Sequence, residues 1–117
     1  MILIIGGLAS GKRDYVRQLG YEDNLIADGI LDDRPVLYNL QDLLFSDPES
    51  GPELYQALLE KEVVVCQEVG SGVIPVTAHD RAAREAVGRL CNHLAREADL
   101  VVRMVCGLPV ILKGRGS

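Results

Sequence analysis

Five apolar residues, Met1-Ile-Leu-Ile-Ile5, run without interruption into Gly6-Gly-Leu-Ala-Ser-Gly11-Lys12, and helical spacing begins directly after the lysine. This opening constrains the fold more than any other stretch. A short, uniformly apolar run rich in isoleucine is the pattern of a strand covered on both faces, as in the interior of a parallel sheet. Strand, glycine loop and helix in that order describe the first crossover of an α/β unit.

The rest of the chain keeps the alternation. The spacing predicts a helix over Lys12–Leu19 with Gly20 at its C-terminal cap, then short strands at Asn24–Ala27 and Val36–Tyr38. Gln41–Phe45 reads as a helical turn, and Ser46–Gly51 is the strongest loop signal. Pro52 suits the first turn of a helix over Glu53–Lys61. Glu62–Cys66 reads as a strand and Gln67–Pro75 as a glycine-rich connection. Thr77 or Asp80 caps a long helix whose Ala83, Val87, Leu90, Leu94 and Ala98 fall on one stripe. Asp99–Val105 is a further strand, Gly107-Leu-Pro109 a turn, and Val110–Leu112 a strand that pairs back. The expected class is α/β, with a mostly parallel sheet, an antiparallel C-terminal hairpin and helices on both faces.

Composition narrows the function. A chain of 117 residues allows one domain, residues 1–117. Its net charge of −5 carries no basic surplus, which argues against a nucleic-acid partner. The apolar start is too short for a signal peptide and lacks a basic flank, and the Leu100–Leu112 run is broken by Arg103 and by Gly107-Leu-Pro109, short of the roughly 20 residues a membrane span needs. Cys66, Cys91 and Cys106 form no CxxC pair, so they are expected to be buried thiols of a cytoplasmic protein, and no metal site is assigned.

Gly6-Gly-Leu-Ala-Ser-Gly11-Lys12 fits the phosphate-loop pattern G-x-x-x-x-G-K in the strand-to-helix context that the pattern requires. The glycines let backbone N–H groups turn toward phosphate oxygens, and the lysine reaches the β- and γ-phosphates. The nucleotide-binding set is therefore Gly6, Gly7, Ala9, Ser10, Gly11, Lys12 and Arg13, against the plainer reading of a glycine-rich turn with a surface lysine. Arg13 stands where a hydroxyl normally holds Mg²⁺. A guanidinium cannot ligate a cation, so Arg13 either contacts phosphate itself or is an exposed first-turn arginine. A second candidate is the loop after the Glu62–Cys66 strand, with Glu68, Gly70 and Gly72, which is either a second-substrate loop at the carboxyl edge of the sheet or a plain connection. His79 and His93 read as surface residues of the long helix.

These residues resemble the adenosylcobinamide kinase / adenosylcobinamide-phosphate guanylyltransferase family. Met1–Lys12 is similar to its opening, whose loop reads G-G-x-R-S-G-K-S. Glu68-Val-Gly-Ser-Gly-Val-Ile-Pro75 resembles its N-E-V-G-x-G-I-V-P. Arg81, Arg84, Gly88, Leu94-Ala95, Ala98-Asp99, Gly107-Leu-Pro109 and Lys113 follow its later pattern, so the likeness spans about residues 1–19 and 62–113. The resemblance implies a RecA-like P-loop fold, ATP or GTP as nucleotide, a corrinoid (adenosylcobinamide) as second substrate, and a homo-oligomer, trimeric in the best-known case. It implies a transferase of cobalamin biosynthesis, with Lys12 and Glu68 as catalytic residues.

Departures from the family set the expected activity. The chain is shorter between Leu19 and Val36, where the family's guanylylated histidine belongs, and no histidine precedes His79. Ala9 replaces the loop arginine, Gln67 an asparagine, and Asn39 a strand-end aspartate, so with Arg13 the usual Mg²⁺ ligands are replaced although Mg²⁺ itself stays an open option. Kinase-type phosphoryl transfer is favoured over guanylyl transfer. The alternative is a catalytically inactive relative acting as a nucleotide-binding regulator or oligomeric scaffold.

Overall fold

The computed structural model describes residues 1–68 and 77–114. Ten principal elements follow the predicted alternation: β1 (Ile2–Gly6), α1 (Lys12–Gln18), β2 (Ile26–Asp28), β3 (Val36–Tyr38), α2 (Leu40–Ser46), α3 (Gly51–Leu59), β4 (Val63–Gln67), α4 (Ala78–Glu97), β5 (Leu100–Val105) and β6 (Leu108–Lys113). They form one sheet in the order β2-β3-β4-β1-β5-β6. The first five strands are parallel, and β6 returns antiparallel to β5.

β1 lies inside this sheet between β4 and β5, with Ile5 opposite both Cys66 and Arg103. That position explains its uniform apolarity, since both of its faces pack against a core. Leu3 points into a core built with α2, α3 and α4, where Leu40, Leu44, Leu58 and Leu94 are fully buried. Ile4 points to the opposite core, which Val16 of α1 closes with Val36, Val63, Val65 and Val102. Burying each such side chain contributes roughly 1.5–3 kcal/mol before entropy is counted. Helices therefore lie on both faces, as the sequence predicts.

The predicted stripe of α4 is the buried one, including Ala83, Val87, Leu90 and Leu94. Thr77 rather than Asp80 is its N-cap, the Thr77 hydroxyl accepting a 3.0 Å hydrogen bond from the Asp80 amide. Gly20, just past α1, has a left-handed φ of 105°, the backbone expected of a residue ending a helix.

Two readings need correction. The C-terminal turn falls at Cys106-Gly107, not Gly107-Leu-Pro109, because both residues take left-handed backbone (φ 51° and 77°) and Leu108 and Pro109 are already paired in β6. The same turn pushes Cys106 into solvent, so only Cys66 is a fully buried thiol, while Cys91 is half-buried. The neighbouring Cys91 thiol and burial push the Cys66 thiol well above its ordinary range. Among the described residues, no helix is long and apolar enough to cross a membrane.

Candidate functional site

The loop between β1 and α1 has a conformation that its sequence requires at two glycines. At Gly6 a Cβ would stand 2.5 Å from the Ser10 Oγ and 3.1 Å from the Met104 carbonyl oxygen. At Gly11 the backbone is left-handed (φ 93°), and a Cβ would approach the Gly107 Cα to 3.0 Å. The Gly107 amide also donates to the Ser10 carbonyl at 3.0 Å, so the tip of the β5–β6 hairpin braces the loop. Ala9 holds left-handed backbone as well (φ 57°), unusual without glycine.

Lys12 is 4% exposed although it is charged. Its ammonium donates to the Gly7 carbonyl at 2.5 Å and, weakly, to the Ser10 Oγ at 3.5 Å. Burial lowers its pKa from the ordinary value, and the Cys66 thiol and Glu68 carboxylate act in the other direction. The loop thus curls around its own lysine, fixing a cation at the carboxyl edge of the sheet.

Beside it lies a cavity of about 290 Å³ lined by Ala9, Ser10, Gly11, Lys12, Arg13, Asp14, Arg17 and Tyr38. Five of the seven residues expected to bind nucleotide line it, while Gly6 and Gly7 lie outside its lining. Asp14, Arg17 and Tyr38 were not expected. Tyr38 ends β3, and its position beside the loop follows from strand order, which no local pattern encodes.

Arg13 has acidic and aromatic partners here. Its guanidinium lies 4.8 Å from the Tyr38 ring centroid, 3.4 Å from the Asp28 carboxylate and 3.6 Å from that of Asp23. Asn39 occupies left-handed backbone before α2, where its side-chain amide donates to Asp28 at 2.7 Å. Gln41 donates to the Asn39 side-chain oxygen at 3.0 Å and accepts from the Gln67 amide at 3.0 Å. This chain of hydrogen bonds joins the carboxyl ends of β2, β3 and β4.

Glu68 adjoins the loop through its backbone, its amide donating to the Gly6 carbonyl at 2.8 Å. Its carboxylate accepts two hydrogen bonds from Arg103 of β5, at 2.7 and 3.2 Å. Arg103 is a residue that sequence reasoning missed, because the contact spans β1 and appears only once the strand order is known. Gly70 and Gly72 lie outside the described residues. His79 sits at the start of α4 with its Nε2 2.6 Å from the Phe45 carbonyl oxygen, and His93 is exposed on the same helix.

The loop after β1 leads to α1 on one face of the sheet, and the segment after β4 leads to α4 on the other. Adjacent parallel strands that diverge in this way open a crevice at their carboxyl ends, where open α/β proteins hold their ligands. Fold and site together define an α/β protein with a cavity beside the loop that joins β1 to α1. The family model described as cobinamide kinase / cobinamide phosphate guanyltransferase matches residues 48–112, which run from the loop before α3 into β6. The chain belongs to this family, whose members are transferases by description. The match bears out the resemblance over Glu68 and the later pattern as far as Gly107-Leu-Pro109, and begins after the Gly6–Lys12 loop. No curated protein matches the chain.

Proposed function

We propose that the chain is one P-loop domain that binds ATP or GTP at Gly6–Lys12 and transfers the γ-phosphoryl group to cobinamide. The observation that carries this reading is Lys12, a nearly buried ammonium curled over a glycine loop at the end of an interior strand. On binding, Lys12 exchanges the Gly7 carbonyl for β- and γ-phosphate oxygens, and Tyr38 and Arg17 flank the nucleotide in the 290 Å³ cavity. A cobinamide hydroxyl then forms the new O–P bond, the bond to the leaving nucleoside diphosphate breaks, and Glu68, held in place by Arg103, accepts the proton. Gly70 and Gly72 belong with Glu68 to the second-substrate side.

Guanylyl transfer through a covalent histidine finds less support. The His79 ring is engaged at the Phe45 carbonyl, and His93 lines a different cavity between α3 and α4. The test is incubation with γ- and α-labelled GTP and adenosylcobinamide. Label from the γ position is expected in the corrinoid, and none from the α position on the denatured protein. A protein that binds nucleotide and transfers nothing would favour the scaffold reading, which has one observation behind it: Arg13 and Asn39 both engage Asp28 at the site edge.

The residues present do not fit the usual Mg²⁺ anchors. Arg13 replaces the hydroxyl, and the amide of Asn39 stands for a carboxylate and occupies the neighbouring Asp28. Nucleotide affinity is expected to fall less than about tenfold on adding chelator, that is by less than about 1.4 kcal/mol. A larger loss in calorimetry would show that another carboxylate has taken the role.

We also read the chain as a homo-oligomer. Every residue of β6 is exposed, and Leu108 is 67% and Leu112 55% accessible on a strand with one unpaired edge. Such an edge invites a second strand or copy. Sedimentation should give a mass of two or more chains, trimers included, and a monomer at high micromolar concentration would remove this reading.

A further inference from the structure

A second cavity, larger than the one beside Lys12, lies away from the loop. It encloses about 550 Å³ between α3 and α4 and shares no lining residue with the cavity beside Lys12. That volume falls in the range of about 300–1,000 Å³ typical of small-molecule sites. Gly51, Ala86 and Leu90, all buried, give it an apolar floor. Tyr55 of α3 meets His93 of α4 edge to face, ring centroids 6.0 Å apart at 88°, so the wall is aromatic on both sides.

Polar groups converge on this apolar surface. Arg89 stands one turn before His93 on α4, and both line the cavity. Among the described residues Arg89 forms no ion pair. An arginine that lines an apolar cavity without a carboxylate partner is a ready anchor for an acid group of a ligand. Glu49 is the one acidic lining residue, and it works against a second acid group.

We infer that the α3–α4 cavity is a binding site for a small aromatic acid, a flat ring bearing a single phosphate or carboxylate. The acid group pairs with Arg89, and the ring lies over Ala86 and Leu90 against Tyr55 and His93. The inference is independent of nucleotide binding at the loop.

Phenyl phosphate is the probe, with inorganic phosphate and benzyl alcohol as the charge-only and ring-only controls. Titration followed by NMR should move the ring signals of Tyr55 and His93, with each control binding at least about tenfold more weakly than phenyl phosphate. Arg89→Gln, on the exposed side of α4, should weaken binding about tenfold. Ala86→Leu, which fills the floor and keeps the charge, should abolish it while far-UV circular dichroism and ATP affinity stay unchanged. Inorganic phosphate binding as well as phenyl phosphate would overturn the proposal, as would undiminished binding in either variant. So would self-association of the wild type that Ala86→Leu removes, because the groove would then be occupied by a second copy.

Discussion

Lys12→Ala should weaken ATP and GTP binding by roughly 10- to 150-fold, the equivalent of about 1.5–3 kcal/mol for one charge-assisted phosphate contact. The ammonium is 4% exposed and already held at the carboxyl edge of β1, so little ordering is left for the nucleotide to impose. Burial also strengthens its pull on a phosphate dianion, since fewer waters compete. The mutant should fold, because the lost side chain reaches the loop's own carbonyl at Gly7 and not a distant element. Calorimetry on wild type and Lys12→Ala decides the matter, with circular dichroism to confirm the fold. Equal affinities would remove the nucleotide site from this loop.

The elements of the fold were legible in the sequence because each has a local cause. The apolar run at Met1–Ile5 could only be an interior strand, and the four- and three-residue spacings from Ala83 to Leu94 could only face a core. What the sequence did not show is what the sheet brings together. Arg103 and Glu68 are 35 positions apart and meet because β5 and β4 flank β1. Tyr38 lines the loop cavity because β3 ends at the same edge as β1. The shift of the hairpin turn to Cys106-Gly107 had the opposite origin. Left-handed backbone at a cysteine runs against local preference, and its neighbour Gly107 is fixed by contact with the phosphate-loop candidate.

That contact gives the second large effect. The two loop glycines Gly7 and Gly11 should respond very differently to alanine. At Gly7 a Cβ meets nothing within 4 Å and the backbone is not left-handed, so Gly7→Ala should change stability by less than about 1 kcal/mol. At Gly11 two costs add. Alanine at φ 93° carries strain of about 1–2 kcal/mol. Its Cβ would also stand 3.0 Å from the Gly107 Cα, backbone against backbone, where no side chain can rotate away. Relief requires the loop or the hairpin to move, which would stretch the 3.0 Å hydrogen bond from Gly107 to Ser10. Overpacking of this kind costs about 1–3 kcal/mol. Gly11→Ala should therefore lose roughly 2–5 kcal/mol in all, lowering Tm by about 8–20 °C. It should also lose most nucleotide affinity, because Lys12 is the next residue and its position depends on the same turn. Thermal unfolding and calorimetry of the two variants side by side provide the check. A Gly11→Ala protein that melts within about 2 °C of wild type would show that the hairpin does not brace the loop.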